Sequence, residues 1–131
     1  MSNGTSPNLD RLAAQHAQAI ISRMTDKKAK ASEVDNTVTK ALGVLQENGV
    51  YACFLYLRAK EGENGAVVVE EMLDLLDGLG FGWGKPTGNG LEEVLSYISE
   101  KVTVDLERLL LAKETLEQML IYARYGAKAR C

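Results

Sequence analysis

The sequence has little of what builds disulfide-rich or β-sheet proteins. Its 131 residues include two cysteines, two prolines, one histidine, and few aromatics: five Tyr, two Phe and one Trp. The two cysteines, Cys53 and Cys131, have no motif spacing, which indicates a reducing compartment and no disulfide framework. Scarce aromatics beside abundant Ala, Leu, Glu and Lys favour helices over a β-sandwich or barrel.

Long hydrophobic runs are also lacking. No stretch of 18 or more apolar residues occurs, so we expect no membrane-spanning segment. The first residues, MSNGTSPN, lack the basic and then apolar order of a secretory signal. The sequence therefore predicts a cytoplasmic protein that does not contact a membrane.

Length, composition and charge are those of an ordinary globular protein with an uneven charge distribution. Hydrophobic residues make up 46% and charged residues 25%, and a chain of this size forms one domain that buries roughly two-thirds of its unfolded surface. The net charge is +3 over residues 1–60, −9 over 61–107 and +3 over 108–131. Basic ends could form a stripe for nucleic acid, and the alternative is charge scattered over solvated helix faces.

Apolar residues recur at helical spacing along most of the chain. Helices are predicted over about 7–30, 33–47, 50–60, 66–79, 90–100 and 103–129. The segment 50–60 is apolar almost all round, which predicts a helix buried on every side, with a buried strand as the competing interpretation. The fold class predicted for 1–131 is all-α: a compact single-domain bundle of about five to six helices with a glycine-rich loop at 78–90.

Helix boundaries are predicted from capping residues. The expected N-caps are Ser6 (followed by Pro7), Ser32 (with Asp35 at the capping-box position), Asn89 and Thr103. Asn48-Gly49 is expected to end the second helix. The stretch EGENG at 61–65 is expected to be a loop.

The glycine-rich segment does not match a phosphate-binding loop. Gly84-Lys85 is followed by Pro86 where a P-loop needs Ser or Thr, and no GxGxxG occurs. Phe81 and Trp83 are expected to hold this loop against the core, with contact to a partner as the alternative.

No catalytic or metal-binding constellation is visible. His16 is placed at the edge of the core, and Cys53 lies in the most apolar helix without a histidine nearby in sequence. Four acidic residues of the fourth helix are expected on a solvated face: Glu70, Glu71, Asp74 and Asp77. The sequence therefore predicts neither an enzyme nor a metal site, and no cofactor.

Basic residues cluster on one side of the last helix. On a helical wheel Lys113, Arg124 and Lys128 lie within about 60° of each other, although Glu117 shares their sector. Arg124 and Lys128 are one turn apart, a spacing that suits two adjacent phosphates. An ordinary solvated face is the alternative.

Two stretches resemble one protein family. The segment ALGVLQENGVYACFLYLRAK, residues 41–60, resembles the central segment of the small subunit of the type III-B CRISPR effector, the Cmr complex: an apolar helix ending in Asn-Gly, then an almost wholly apolar helix closed by Lys. The run 109–129, with AKETLE and YARYGAKA, resembles the last helix of that family. A glycine-rich middle and an acidic overall charge depart from the family pattern.

The resemblance implies a non-catalytic structural subunit. Members of that family are helical bundles that stack in copies along the backbone subunits of the complex, and their basic faces line the groove that holds guide RNA and target RNA. Partners implied for this chain are the other Cmr effector subunits (backbone and large), copies of itself, and the guide and target RNA backbones. The positions that carry over are Arg58, Lys60, Arg124 and Lys128, with Arg23 and Lys40 from the basic N-terminal half.

Three alternatives stay open at this point. One is a helical protein–protein adaptor that binds no nucleic acid. Another is the equivalent small subunit of a Csm-type complex. The third is an enzyme that uses carboxylates of a helical bundle, which would need Glu70, Asp74 or Asp77 in a pocket with a raised pKa.

Overall fold

Helices account for most of the chain between residues 8 and 131, the part that the structure, a computed structural model, describes. Six α-helices are seen there: α1 Leu9–Asp26, α2 Ala31–Asn48, α3 Val50–Lys60, α4 Gly62–Gly78, α5 Leu91–Tyr97 and α6 Leu106–Lys128. A π-helical turn, Ile98–Val102, continues α5. The predicted all-α bundle is confirmed.

Five of the helices form a closed ring around one hydrophobic core. In the order α6, α1, α4, α3 and α2, each packs against the next, and α2 packs against α6. Phe54, Ile20, Met72 and Leu116 are among the large side chains that are fully buried inside. Because α1 and α6 carry apolar stripes at helical spacing, burying those stripes against each other stabilises the pair.

Several predicted helix starts differ from those in the structure. Helix α1 is capped by the Asn8 side chain, which accepts from the Arg11 backbone N–H; Ser6 and Pro7 lie outside the described residues. Helix α2 starts before Ser32, because Glu33 reaches back to the Lys30 N–H at 2.8 Å. The N-caps of α5 and α6 are Gly90 and Asp105 rather than Asn89 and Thr103.

The expected loop at 61–65 is also wrong. Gly62 adopts φ +55°, so the chain turns within one or two residues and α4 begins at once. Gly65, in the first turn of α4, lies against the C-terminal turn of α3. A Cβ atom there would collide with the Leu57 carbonyl oxygen and come within 2.8 Å of the Glu61 Cβ. The corner between α3 and α4 therefore depends on glycine.

Helix α3 has the predicted bounds but is not buried on every side. Gly49, at φ +97°, separates it from α2 as expected. Tyr51 and Leu55 are each 42% exposed, whereas Cys53 is fully buried and its Sγ donates to the Ala41 carbonyl oxygen at 3.4 Å. Burial raises the pKa of the Cys53 thiol to about 12, while Cys131 is exposed.

Residues 79–90 connect α4 to α5 without a regular helix. Trp83 is 8% exposed and packs edge-to-face with Phe81, so the expectation that these two residues hold the segment against the core is confirmed. The Tyr97 hydroxyl donates to the Gly84 carbonyl oxygen at 2.8 Å.

No described helix combines the length and apolar character needed to cross a membrane.

Candidate nucleic-acid interface

The seven predicted basic residues differ in the partners that they have within the described chain. Two of them, Arg23 and Arg58, donate hydrogen bonds to other residues of the chain. Two others, Arg124 and Lys128, line the same cleft. The remaining three, Lys40, Lys60 and Lys113, have no ion pair within residues 8–131.

Arg23 belongs to a charged cluster between α1 and α4. Its guanidinium donates to Glu71 at 2.8 Å and also to Glu70. The Nδ1–H of His16 donates to the other oxygen of Glu71, at 2.8 Å. Glu71 is only 6% exposed, so its expected place on a solvated face is wrong, whereas the expected edge-of-core position of His16 is confirmed.

The ionisation of Glu71 is controlled by this cluster. Burial by itself raises the pKa of the carboxyl, but the hydrogen bonds from His16 and Arg23 outweigh burial and hold the pKa below its ordinary value. Glu71 therefore stays ionised at neutral pH with both oxygens occupied. The arrangement stabilises the α1–α4 contact, and it does not resemble a carboxylate with a raised pKa that could act as a general acid.

Arg58 and Lys60 lie at the end of α3. The Arg58 Nη1 donates to the Asn89 carbonyl oxygen at 2.6 Å, which ties the segment before α5 to the bundle. Lys60 is exposed. The two side chains are thus unequal: Arg58 has a bond within the chain, whereas Lys60 points its charge to solvent.

A polar cleft of about 450 Å³ lies between α2 and α6. Its lining brings together two cations of α6 with the first turns of α2: Arg124, Lys128, Ser32, Glu33, Asp35, Asn36 and Thr39. Asp35 of α2 lies opposite Lys128 of α6, and Thr39 and Arg124 also line the cleft. We call this feature the α2–α6 cleft.

Arg124 and Lys128 are held differently in the α2–α6 cleft. The Lys128 Nζ lies 3.2 Å from Asp35 Oδ2. Arg124 is half-buried. Its Nε is buried and has no hydrogen-bond partner within residues 8–131. Arg124 also has no ion pair within residues 8–131, so its charge is free to attract an anion that enters the cleft.

Asp35 is the residue that sequence reasoning missed at this site. Its Oδ1 accepts from the Thr39 hydroxyl at 3.0 Å. Burial raises the pKa of Asp35, but hydrogen bonds from Thr39 and Lys128 outweigh burial and lower the pKa overall. The spacing Asp35–Thr39 puts both residues on one helix face and could have signalled the pair, but only the packing of α2 on α6 brings Lys128 to it.

Two further features bear on what the surface can bind. Within residues 8–131, no group of three or more His, Cys, Asp or Glu side chains is placed to hold a metal ion. Apolar side chains are exposed around the start of α6: Val104 is 73% exposed, Leu106 68% and Leu110 51%. A strip of this kind is typical of a surface that contacts another protein.

Comparisons with known proteins give no relative. No family model matches this chain, and no curated protein sequence or solved structure matches it at a significant level. The resemblance to the Cmr small subunit therefore stays a prediction that rests on residues 41–60 and 109–129.

Proposed function

We propose that this protein is a non-catalytic small subunit of a type III-B (Cmr) CRISPR effector complex, which targets RNA in antiviral defence. Copies of the subunit stack along the backbone subunits and line the groove that holds guide RNA and target RNA. The observation that carries the proposal is the α2–α6 cleft, where Arg124 and Lys128 stand one helical turn apart and the Arg124 Nε has no partner within the described chain. Two cations at that spacing suit adjacent phosphates of a nucleic-acid backbone.

The two stretches that resemble the Cmr family support the proposal by their place in the fold. Residues 41–60 form the end of α2, the Gly49 break and the whole of α3, and residues 109–128 form the body of α6. The cations of α6 and the basic end of α3 are therefore presented by rigid helices. Presentation on helices suits repeated, sequence-independent contact with a nucleic-acid backbone, because little backbone order has to be created on binding.

We expect the double variant Arg124→Gln/Lys128→Gln to bind single-stranded RNA more weakly than the unaltered protein. Each lost phosphate contact lowers the magnitude of the slope of log K against log salt by about 0.7 for a single strand, so losing both lowers it by about 1.4. Fluorescence anisotropy with a labelled oligouridine at several salt concentrations measures both effects.

A charge-matched control separates this site from net charge. Lys27→Gln/Lys28→Gln also removes two exposed cations, at the end of α1, outside the α2–α6 cleft. We expect that variant to keep most of the affinity and most of the slope. Equal losses in the two double variants would show that binding follows overall charge and not the cleft.

The decisive experiment on the whole proposal is purification of the tagged protein from its source cell followed by native mass spectrometry. A large particle that contains a discrete short RNA and several backbone subunits supports the proposal, gives the copy number, and separates a Cmr from a Csm complex by its subunits. A lone bundle contradicts it.

The exposed strip at Val104, Leu106 and Leu110 favours a second candidate, a helical adaptor that binds proteins only. Partners of an adaptor stay bound after nuclease treatment, and the adaptor shows no salt-dependent RNA binding. Loss of the particle on nuclease treatment contradicts the adaptor.

A further inference from the structure

We propose that Asp35 competes with phosphate for Lys128 in the α2–α6 cleft, so that this carboxylate sets how strongly the cleft binds a nucleic-acid backbone. The inference rests on the proposed function, because it names what controls the same site. It follows from three properties of the cleft: its charge balance, the bonds that hold Asp35, and the unequal freedom of the two cations.

The first property is charge balance. Two cations, Arg124 and Lys128, face two carboxylates, Glu33 and Asp35, so the lining carries no net charge. The Glu33 carboxylate is already occupied as the α2 cap, through its bond to the Lys30 N–H. Asp35 is therefore the carboxylate that faces Lys128, a cation that a phosphate would also bind.

The second property is the fixed position of Asp35. Its Oδ1 accepts from Thr39, one turn further along α2, at 3.0 Å, and its Oδ2 faces the Lys128 Nζ at 3.2 Å. The side chain is short and lies on a helix that packs closely on α6. The bond from Thr39 thus holds the carboxylate beside Lys128, and two anions near one ammonium group repel each other.

The third property is the difference between the two cations. Arg124 is half-buried and has no ion pair within residues 8–131, so an entering phosphate oxygen can accept from its guanidinium without breaking an existing ion pair. Lys128 has to leave Asp35 or be shared with it, and its long flexible chain permits such movement. One phosphate is thus expected on Arg124, and full use of Lys128 is opposed by Asp35.

The test is the variant Asp35→Asn in the full-length protein. Asparagine keeps an oxygen that can accept from Thr39 and removes the charge that holds Lys128. We expect oligouridine to bind about three- to tenfold more tightly at about 50 mM salt, and the slope of log K against log salt to steepen by about 0.7, as for one added phosphate contact. Asp35→Ser is measured alongside, with thermal melting of each variant, so that a folding defect in one does not decide the result.

Glu47→Gln is the matched control, because Glu47 is exposed on the same helix and lies outside the cleft lining. We expect its affinity to change by less than about twofold, since a distant exposed charge is largely screened. Adding Lys128→Gln to Asp35→Asn is expected to abolish the gain.

The outcomes separate this inference from the proposed function. If Asp35→Asn binds like Glu47→Gln while Arg124→Gln/Lys128→Gln still loses affinity, the cleft binds RNA and the competition is wrong. If Asp35→Asn weakens binding, or its gain survives the loss of Lys128, the competition is also wrong. If neither the unaltered protein nor Asp35→Asn binds RNA at low salt, the competition is wrong, and native mass spectrometry of the purified particle still decides the proposed function.

Discussion

Gly65→Ala is expected to destabilise the fold by about 2 kcal/mol, which lowers the melting temperature by roughly 8 °C. The added Cβ collides with the carbonyl oxygen of Leu57 and lies 2.8 Å from the Cβ of Glu61. Both obstacles belong to the junction of α3 and α4 rather than to the end of a flexible side chain, so the junction has to open to make room. The free energy of unfolding from urea titration measures the loss.

Gly43→Ala provides the matched control. Gly43 lies within α2, and a Cβ there meets no atom within 4 Å. Alanine has the higher helix propensity, so this variant is expected to gain about 0.5–1 kcal/mol. The change from glycine to alanine is thus expected to lower the free energy of unfolding at position 65 and to raise it at position 43. A gain at Gly65 as well would mean that α3 and α4 do not approach as closely as described.

Glu71→Gln is expected to cost about 2 kcal/mol at neutral pH. The side chain keeps its volume, but the carboxylate that accepts from both His16 and Arg23 is replaced by an amide, and one of those donors then faces an NH₂ group. This cost is smaller than that of breaking a fully buried ion pair, because the Arg23 side chain is 35% exposed and is screened by water. Urea titration of the two proteins gives the difference.

The pH dependence of that difference checks its electrostatic origin. The folded pKa of Glu71 is lowered, so its contribution is fully present above the ordinary carboxyl value of 4.5 and is lost as the pH falls through the lower folded pKa. We therefore expect Glu71→Gln and the unaltered protein to converge in stability at acid pH.

Glu70→Gln is the control for the charged cluster, since the Glu70 side chain is 41% exposed and also contacts Arg23. It is expected to cost less than about 0.5 kcal/mol. A cost as large as that of Glu71→Gln would assign the stability to overall charge at Arg23 and not to the buried carboxylate.

Local sequence patterns predicted the helices but not what brings them together. The bounds of α3 follow from a glycine with positive φ on one side and charged residues on the other, and both signals are local. The start of α4 is not predicted because a single turn at Gly62 suffices where three polar residues and two glycines suggest a loop. The exposure of Tyr51 and Leu55 was missed because an apolar composition does not reveal which side of a helix lacks a neighbour.

At the candidate site, too, local spacing predicts some features and tertiary packing determines the others. The helical wheel placed Arg124 and Lys128 together because their spacing is local. Asp35 lies far from them in sequence, and so does Glu71 from Arg23 and His16; each partner is supplied by tertiary packing. Whether a charge on a helix is solvated or paired depends on the facing helix, which periodicity alone does not contain.

The two cysteines give this protein a built-in reporter of opening. Alkylating reagents attack the thiolate, and Cys53 is both buried between α2 and α3 and held protonated by its pKa of about 12, while Cys131 is exposed. The labelling rate of Cys131 therefore gives the reactivity of an exposed thiol towards the reagent. The labelling rate of Cys53 measures how often α2 and α3 separate. The ratio of the two labels, followed over time, gives the opening free energy without a denaturant, whether the chain is alone or bound in an assembly.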